Sequence, residues 1–533
     1  MPTLRSSLTF EPRELAFGTS GRRGLIRDLT DLEISINISA EIQYLKSLAP
    51  RQGGVQPGDD VFLARDLRPS SERIGCVIQY ALRQLGMHPV NLGEMPTPAL
   101  TWFAVDRGCA SIMVTGSHIP FDRNGYKLNT TRGELLKEQE APINALVRTV
   151  RELVYAEEFA ASSFAADGSL RITPPALDAP SSGAADAWIH RYTDFAGNSA
   201  LAGKRILVYQ HSAVGRDLLV DILRGLGAEP IPAGRSESFV PIDTENIGEA
   251  ELSEIRRLYS DLGPAWAVVS TDGDSDRPLL LAPDPVSGEL RFFSGDLIGM
   301  VVAGWLHSDA VVVPVTCNDA IDRSELAGAL EPKTRIGSPW VIAGMNAALA
   351  KHKKVVCGWE ANGGFLLGST VERNGRLLGP LATRDAFLPL MAVLCDSAER
   401  RKPVVELFEE LPARYGRSGL LRDFPRAAGI NIVENLRPGA GKLFSNNSDL
   451  FKVLREVFSI KNGFADIISI DHSDGARVHF ADDDIFHVRP SGNADELRVY
   501  TVSDTPQRAE AMVALSLAEP DGILRHLERI LLH

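Results

Sequence analysis

One pattern recurs along this chain: an apolar strand, a loop, an amphipathic helix and a second short strand, within roughly 30 residues. Copies lie at residues 59–94 and 204–235, and we expect a third at residues 309–338. Two strands that pair in parallel need a crossover between them, and a helix is the usual crossover. The repeat therefore predicts parallel or mixed sheets with helices packed against them.

The pattern changes after about residue 417, where short alternating stretches predict antiparallel strands that end in a helix. A chain of 533 residues has room for about three or four domains. Residues 173–187, rich in proline, alanine and serine, read as a linker. The predicted fold class is α/β: three tandem related α/β domains with mixed sheets plus a C-terminal α+β domain, four domains around a central cleft. The predicted domains are 1–190, 191–305, 306–415 and 416–533.

Charge and composition exclude several kinds of protein. The formal net charge of −13 argues against nucleic acid or an anionic membrane as the main partner, because such binding depends on basic surface. We find neither a secretory signal nor an apolar stretch long enough to span a membrane, so we expect a cytoplasmic protein. The five cysteines lie far apart and form no C-x-x-C pair, which predicts neither a disulfide framework nor a zinc site.

The stretch VTGSHIPFDRNGYK, residues 114–127, follows an apolar strand and carries a hydroxyl, an imidazole and an ammonium group on one loop. Ligands of α/β proteins bind at the carboxyl ends of strands, so Ser117, His118 and Lys127 are candidates for chemistry. The G-x-S-x-G elbow of serine hydrolases is absent. Ser117 is therefore either an ordinary turn residue or a group that reacts in another way.

The loop in AWAVVSTDGDSDRPLLL carries Asp272, Asp274 and Asp276, followed by Arg277. Three carboxylates at this spacing repel one another unless a cation lies among them. The glycine and glutamate of a calcium EF-hand are missing, and so is the D-x-D-G-T pattern of phosphatases with a nucleophilic aspartate. A solvated acidic turn is the alternative. Hard oxygen ligands beside an arginine favour Mg²⁺ bound opposite a phosphoryl oxygen.

Three further loops carry polar groups suited to a phosphorylated sugar. FGTSGRRG offers hydroxyl and guanidinium groups among glycines, which suits an anion. VVCGWEANGGFLLG places a carboxylate and an amide between two strands, where both can bond sugar hydroxyls. FHVRPSGNADELRVY combines a glycine turn with hydroxyl, amide and guanidinium groups, a suitable cradle for a phosphate. The candidate residues are Thr19, Ser20, Arg23, Glu360, Asn362, Arg489, Ser491, Gly492, Asn493 and Arg498.

In this order, FGTSGRRG, TGSHIPFDRNGYK, DGDSDR, GWEANGG and RPSGNADELRVY resemble the α-D-phosphohexomutase superfamily, which includes phosphomannomutases, phosphoglucomutases and phosphoglucosamine mutases. The resemblance spans nearly the whole chain. It implies that the serine carries a phosphoryl group and that the aspartates hold Mg²⁺ together with the phosphorylated serine. The implied catalytic residues are Ser117, His118, Lys127 and Arg23, and the implied metal ligands are Ser117, Asp272, Asp274 and Asp276.

The same resemblance implies the reaction, an interconversion of hexose 1-phosphate and hexose 6-phosphate, with glucose or mannose as the sugar. The route is a phosphoserine enzyme and a hexose 1,6-bisphosphate intermediate, with a hexose 1,6-bisphosphate also acting as activator. Lys127 is a candidate for proton transfer. The protein would bind small sugar phosphates as a monomer or homodimer. The implied substrate-binding residues are Thr19, Ser20, Arg277, Glu360, Asn362, Arg489, Ser491, Gly492, Asn493 and Arg498.

Three alternatives remain open at this point. The chain could be a phosphoglucosamine mutase, or a non-catalytic sugar-phosphate-binding protein on the same fold. A magnesium-dependent sugar phosphatase is the third. Phosphate release without formation of an isomer would identify the phosphatase.

Three loops depart from the usual family patterns T-A-S-H-N-P, G-E-x-S-G-H and S-G-T-E-P. The changes leave the phosphate carrier and the metal ligands in place, so they bear on the preferred sugar. The departing residues are Gly116 and Ile119 in the first loop, Trp359, Asn362 and Gly364 in the second, and Asn493, Ala494 and Asp495 in the third.

Overall fold

The computed structural model of the chain describes residues 1–245, 247–437, 457–459, 462–490 and 495–532. Packing divides the chain into two compact units. Unit 1 consists of Met1–Val312 and Gly337–Phe408, and unit 2 of Val313–Ile336 and Glu409–His533. The four domain boundaries drawn from the sequence stay a prediction.

The first sheet of unit 1 and its helices occupy the first third of the chain. Its strands are β1 Arg22–Leu25, β2 Asp60–Arg65, β3 His88–Glu94, β4 Ala110–Val114, β5 Arg123–Thr130 and β6 Gly133–Glu134. Its helices are α1 Leu4–Ser7, α2 Asp31–Ser47, α3 Ser71–Gln84, α4 Thr97–Asp106 and α5 Lys137–Ala156. The strand order is β1-β5-β4-β2-β3, with β6 paired to β5. β2 is parallel to β3 and β4, whereas β5 is antiparallel to β4, so the sheet is mixed as predicted.

Helix α3 shows why the repeated sequence folds in this way. Ile74, Val77, Ile78 and Leu82 recur at helical spacing and are all 0% exposed, so one apolar face packs on the sheet. The chain then turns at Gly86, whose φ of +71° favours glycine, and returns as β3. The first copy of the repeat therefore forms the predicted parallel β2-α3-β3 unit.

The second sheet repeats this arrangement. Its elements are α6 Ala184–Ala196, β7 Arg205–His211, α7 Arg216–Gly225, β8 Glu229–Arg235, α8 Glu249–Leu262, β9 Ala267–Thr271, β10 Pro278–Pro283 and β11 Leu290–Phe293. Helix α9 Gly295–Trp305 follows and packs against elements of the third sheet. The strand order is β11-β10-β9-β7-β8. β7 is parallel to β8 and β9, and β9 and β10 form an antiparallel pair around the predicted metal loop. In the predicted linker, residues 173–183 form neither helix nor strand, and α6 begins at Ala184, so the last four residues of the predicted linker are helical.

The third sheet completes unit 1. Its elements are β12 Ala310–Val312, α10 Ser338–Ala350, β13 Val356–Trp359, β14 Phe365–Leu367, β17 Leu381–Asp385, α11 Phe387–Arg400 and α12 Val404–Glu409, with a separate hairpin of β15 Val371–Arg373 and β16 Arg376–Leu378. The strand order is β12-β13-β14-β17. β12 is parallel to β13, and β13 and β14 are antiparallel around the predicted sugar loop.

The prediction of a third strand-helix-strand copy at residues 309–338 is wrong. β12 forms, but two short 3-10 helices follow it, at Asp319–Arg323 and Glu325–Ala329. Ser324 ends the first of these, and its Oγ accepts a hydrogen bond from the Leu326 backbone N–H and so begins the second. Pro332, which has no N–H to donate, prevents a longer helix. The helix that packs against β13 is α10, and residues 313–336 belong to unit 2.

Unit 2 contains the predicted antiparallel sheet. Its elements are β18 Tyr415–Arg422, α13 Arg426–Asn435, β19 Ile467–Asp471, β20 Ala476–Phe480, β21 Ile485–Pro490, β22 Glu496–Ser503, α14 Pro506–Leu517 and α15 Ile523–Leu532. The strand order is β18-β22-β21-β20-β19. Its core includes Phe458, Phe464, Phe480 and Phe486. Among the described residues of both units, no helix is long and apolar enough to cross a membrane.

Candidate active site

Ser117 lies at the turn after β4, where its φ of +52° is unusual for a residue with a side chain. The turn is fixed by its own hydrogen bonds. The Ser117 N–H donates to Thr115 Oγ1 at 2.7 Å, and Thr115 Oγ1 donates to Asp66 Oδ2 at 2.8 Å. Ser117 Oγ donates to Asp272 Oδ2 at 2.7 Å and lies 3.3 Å from His118 Nδ1. The turn therefore directs a buried hydroxyl at the aspartate loop of the second sheet.

Arg68, just beyond the end of β2, braces the serine loop. Its guanidinium lies over the ring of Phe239, with Cζ 4.0 Å from the ring centroid. A Cβ at Gly116 would lie 2.5 Å from Arg68 Nε, so glycine at this position leaves room for the arginine. The guanidinium donates hydrogen bonds to the backbone oxygens of Ser117, Ile119, Pro120 and Arg123.

Asp272, Asp274 and Asp276 lie on the turn between β9 and β10, and each is 0% exposed. One carboxylate oxygen of each lies within 4.8 Å of the others. Asp272 Oδ1 accepts from the backbone N–H groups of Asp276 and Arg277 at 3.0 and 3.1 Å. The loop therefore folds around its first carboxylate and turns all three toward one point.

Three cations surround these carboxylates. Lys127 Nζ donates to Asp274 Oδ2 and Asp276 Oδ2, at 2.7 Å in each case. Arg384 donates to Asp276 Oδ2 through Nη2 at 2.9 Å and through Nε at 3.0 Å. Arg277 Nε lies 3.6 Å from Asp276 Oδ1. The cations offset the negative charge that burial would otherwise make costly.

Burial has the largest influence on ionisation in the cluster. It raises the pKa of Asp272 well above its ordinary value, and the two neighbouring aspartates raise it further. Burial also acts to raise the pKa of Asp274, but the charge and hydrogen bond of Lys127 outweigh it, so this pKa is lowered. The pKa of Arg23 falls to about 10 because burial disfavours its charge and other arginines lie near.

The aspartate cluster fits a divalent metal ion. Asp274 Oδ1 and Asp276 Oδ1 are buried and accept no hydrogen bond from any described residue. Buried polar atoms without partners are costly, and a cation between them removes the cost. Mg²⁺ prefers hard oxygen ligands of this kind. The residues that would hold it are Asp272, Asp274 and Asp276.

Glu360 and Asn362 lie on the turn between β13 and β14. Glu360 is 4% exposed, and its Oε2 accepts from Arg384 Nη1 at 2.9 Å. Asn362 Oδ1 accepts from the Gly364 N–H at 3.0 Å, so this amide oxygen holds its own loop. Arg384 therefore connects the sugar loop of the third sheet to the aspartate loop of the second.

The loop at residues 17–24 contributes unequally. Arg22 is buried in the core of the first sheet, where its Nε donates to Glu41 Oε1 at 2.6 Å. Arg23 lies near the aspartate cluster, whose charges act on its pKa. Ser20 Oγ donates to Glu134 Oε2 at 3.4 Å. Thr19 lies beside the glycine that precedes α10.

The predicted phosphate loop belongs to unit 2. Arg489 and Arg498 are paired residues on the antiparallel strands β21 and β22. Arg489 Nε lies 3.6 Å from Asp474 Oδ1, and Arg498 Nη2 lies 3.5 Å from Glu496 Oε2. Two guanidinium groups thus start from adjacent backbone positions. Ser491, Gly492 and Asn493 lie outside the described residues.

Sequence reasoning missed several side chains that hold the site. Thr97 Oγ1, at the start of α4, donates to Asp274 Oδ2 at 2.6 Å, and Arg68 and Arg384 bind the loops described above. Each residue directly follows an apolar strand or lies at its end, in ARDLRP, EMPTPAL and LATRDAF. Position at a strand's carboxyl end was therefore the available signal. The partner of each residue, however, comes from a distant part of the chain.

Sequence profiles of one family match three parts of the chain. They are described as phosphoglucomutase/phosphomannomutase alpha/beta/alpha domain I for residues 14–153, alpha/beta/alpha domain III for residues 294–415, and C-terminal domain for residues 437–519. A solved structure of a phosphoglucomutase/phosphomannomutase family protein from Burkholderia thailandensis has a TM-score of 0.65 to this chain. It is 18% identical and covers 96% of this chain and 97% of its own, which shows a shared fold.

Proteins similar in sequence to this chain include phosphomannomutases and a phosphoglucosamine mutase. A phosphomannomutase of Sinorhizobium fredii is 39% identical over 504 residues, covering 94% of this chain and 98% of the relative. A phosphomannomutase of Salmonella muenchen is 37% identical over 495 residues, covering 92% of this chain and 93% of the relative. A phosphoglucosamine mutase of Nocardia farcinica is more distant, at 25% identity over 524 residues, covering 93% and 97%.

Proposed function

The chain belongs to the phosphoglucomutase/phosphomannomutase family, and from that premise we propose that it interconverts mannose 1-phosphate and mannose 6-phosphate through a phosphorylated Ser117. As a phosphohexomutase it is an isomerase, an intramolecular phosphotransferase. Mannose is the proposed sugar because the phosphomannomutase relatives are nearer in sequence than the phosphoglucosamine mutase. Glucose 1-phosphate and glucose 6-phosphate are proposed as a second pair of substrates.

The placement of Ser117 carries the proposal. A serine in an ordinary turn is exposed or bonded within its own loop. Here the side chain is 3% exposed, and its Oγ reaches 2.7 Å to Asp272 on a different sheet. A phosphoryl carrier beside a divalent cation needs this arrangement, because charge on the transferring group must be neutralised as it moves.

Two transfers account for the isomerisation. In the first, the P–O bond to Ser117 Oγ breaks and a P–O bond to the free sugar hydroxyl forms, while that hydroxyl loses its proton and Ser117 Oγ gains one. The product is a hexose 1,6-bisphosphate, which turns round in the site. In the second, Ser117 Oγ attacks the other phosphate and loses its proton, the P–O bond to the sugar breaks, and the isomeric monophosphate leaves with a proton on the freed sugar oxygen. The hydrogen bond to Asp272 Oδ2 orients the serine for that attack.

The other residues of unit 1 bind and orient. Bound Mg²⁺ supplies charge neutralisation at the phosphoryl group. Lys127 holds Asp274 and Asp276 in place, and its role in proton transfer stays a prediction. Glu360 and Asn362 are proposed to contact the sugar hydroxyls. Arg277 and Arg23 are proposed to face the phosphoryl group, with Thr19 and Ser20 beside them.

The remaining expectations are part of the same proposal. The phosphate cradle would hold the phosphate that does not react. A hexose 1,6-bisphosphate would restore the phosphoserine whenever the intermediate is lost from the site. The cytoplasmic location and a monomeric or homodimeric state stay predictions from the sequence. The cradle residues are Arg489, Ser491, Gly492, Asn493 and Arg498.

The decisive experiment is a coupled isomerisation assay with Mg²⁺ and a hexose 1,6-bisphosphate. Mannose, glucose and glucosamine 1-phosphates are compared, together with Ser117→Ala. We expect the highest kcat/KM with mannose 1-phosphate and a loss of about a thousandfold or more in Ser117→Ala. Ser111→Ala is the matched control, because Ser111 is a buried serine on β4 that bonds Asn129 away from the loop. It should keep the activity of the unchanged chain.

Three outcomes would contradict the proposal. Failure to form an isomer from any of the sugars favours the non-catalytic sugar-phosphate-binding alternative. Release of inorganic phosphate without an isomer favours the phosphatase. Full activity in Ser117→Ala would remove the serine as carrier, even if isomerisation itself is seen.

A further inference from the structure

We infer that Arg384 is a positioning residue for this reaction, which holds the sugar-loop carboxylate of Glu360 in a fixed geometry relative to the metal-loop carboxylate of Asp276. The inference rests on the proposed function, since Glu360 is taken to contact the sugar. Neither loop motif contains this arginine. Its place is on β17, the last strand of the third sheet.

The contacts of Arg384 join two loops that lie far apart in sequence. Nε and Nη2 donate to Asp276 Oδ2 at 3.0 and 2.9 Å, and Nη1 donates to Glu360 Oε2 at 2.9 Å. The residue is 4% exposed. The guanidinium therefore bridges the two buried carboxylates.

The backbone on each side of Arg384 is held as well. Thr383 Oγ1 donates to Glu134 Oε1 at 2.6 Å. Asp385 Oδ1 accepts from the backbone N–H of Phe387 at 2.8 Å and so fixes the start of α11. An arginine anchored in this way directs its charged end to one place. A long side chain on a mobile loop would lose that direction.

Gly364 makes the space that Arg384 occupies. A Cβ at Gly364 would lie 2.5 Å from Arg384 Cδ and 2.7 Å from Cγ, closer than real contacts allow. In the family pattern that the chain resembles, a histidine stands at this position of the sugar loop. The chain therefore lacks a side chain at position 364, and the aliphatic stem of Arg384 on β17 fills that space.

An arginine suits this task because its planar guanidinium donates in several fixed directions. A lysine ammonium could bind one carboxylate well, but its single nitrogen cannot reproduce the fork. Removing the cation leaves Glu360 as a buried carboxylate with one partner fewer, and such a group reorients. The new orientation would spoil its contact with sugar hydroxyls. The effect should therefore appear in substrate binding as well as in turnover.

The experiment compares Arg384→Met, which keeps most of the volume without the charge, with Arg384→Lys and with the unchanged chain. We expect Arg384→Met to lower kcat/KM roughly a hundredfold with a raised KM, and Arg384→Lys to recover only part of the loss. Guanidinium chloride at millimolar concentration should partly restore Arg384→Gly, because the cation can enter the vacated space.

Arg151→Met is the matched control for a purely structural effect. Arg151 is also buried, at 8% exposed, and forms an ion pair with Glu33 inside the first sheet's core. Its loss should lower the melting temperature and the folded fraction without changing KM for the protein that remains folded. Guanidinium chloride should not restore the melting temperature or the folded fraction of Arg151→Met.

Substitutions at Gly364 test whether this residue and Arg384 share one space. Gly364→Ala alone should lower kcat/KM and the melting temperature, since the new methyl group displaces Arg384. In the Arg384→Gly variant, adding Gly364→Ala should lower kcat/KM and the melting temperature little further, because all three atoms near the new Cβ belong to the Arg384 side chain. Additive losses would contradict a shared space.

Outcomes that overturn the inference differ from those that overturn the function. If the unchanged chain shows no isomerase activity, the proposed function fails. If the unchanged chain is active and Arg384→Met keeps its KM and kcat within about twofold, the inference fails. It fails too if Arg384→Met behaves like Arg151→Met, with activity lost only in proportion to unfolded protein.

Discussion

At the scale of single residues, a glycine and an arginine share one space in each of two loops around the site. A Cβ at Gly116 would lie 2.5 Å from Arg68 Nε, and a Cβ at Gly364 would lie 2.5 Å from Arg384 Cδ. Neither glycine has a positive φ that would itself require glycine. What restricts these positions is therefore the arginine side chain, which extends from just beyond β2 in one case and from β17 in the other. Arg68 fixes the serine loop, and Arg384 fixes the sugar loop.

We predict that Gly116→Ala impairs both stability and turnover. The new methyl group must displace the guanidinium of Arg68, which donates to four backbone oxygens of the serine loop. Overpacking of this kind costs about 1–3 kcal/mol, and the free energy of unfolding should fall by that amount in urea titrations. kcat should fall with it, because the same loop aims Ser117 at Asp272.

Gly379→Ala is the control for that experiment. A Cβ at Gly379 would meet no atom within 4 Å, and its φ is not positive, so an alanine there should be tolerated. Equal effects of the two substitutions on stability and kcat would show that the contact with Arg68 does not matter.

The motif residues could be predicted because each loop carries its chemistry in a short stretch of sequence. Ser117, Lys127 and the three aspartates do meet, with Ser117 and the aspartates on turns at strand ends and Lys127 within β5. Arg68 and Arg384 could not be assigned in the same way. An arginine at the end of a strand has many possible partners, and only the packing of separate sheets decides among them.

At the scale of elements, helix α9 lies directly against the strand that carries the sugar loop. A Cβ at Gly299 would lie 2.4 Å from the indole of Trp359, the last residue of β13. Glu360 follows Trp359 immediately. The packing of α9 against β13 therefore sets the backbone position from which the Glu360 side chain extends.

Two substitutions on this one helix should have opposite effects. Gly299→Ala forces α9 away from Trp359, so we expect a lower melting temperature and a higher KM for the sugar phosphate. Gly304→Ala lies on the exposed side, where a Cβ would meet no atom within 4 Å. It should raise the free energy of unfolding by about 0.5–1 kcal/mol, because alanine favours helix over glycine. Thermal melts and steady-state kinetics of both variants measure this.

The opposite signs make the pair informative. If Gly299→Ala were as stable as Gly304→Ala and kept its KM, close packing between α9 and β13 would play no part in positioning the sugar loop. The intact kinetics expected of Gly304→Ala show that any change at position 299 comes from the contact and not from the alanine itself.

Elements were predicted well where the helical period was long and apolar, as in α3 and α7. The third copy of the repeat failed because its pattern was weak. ELAGALEP holds only a few apolar residues between Ser324 and Pro332. Ser324 caps the second 3-10 helix, and Pro332 has no N–H to donate, so only short 3-10 helices form. The spacing of apolar residues alone does not show where a serine cap and a proline end a helix.

At the scale of the whole molecule, the candidate metal ligands lie in one of the two units. The aspartate cluster lies in unit 1, and the described part of unit 2 contains no second group of three acidic, histidine or cysteine side chains close enough for one ion. Each unit has its own apolar core. Binding of Mg²⁺ should therefore stabilise one unit directly and leave the other unchanged.

We predict two thermal transitions in calorimetry of the intact chain, of which Mg²⁺ raises only one. An ion at 100 times its Kd stabilises the folded state that binds it by about 2.7 kcal/mol. Asp274→Asn should abolish the shift, because Asp274 Oδ1 is one of the two buried oxygens of the aspartate cluster that have no hydrogen-bond partner among the described residues. Phe480→Leu, in the core of unit 2 at 1% exposed, should lower the other transition and so assign it. A shift of both transitions by Mg²⁺, or a shift that survives in Asp274→Asn, would contradict a single metal site confined to unit 1.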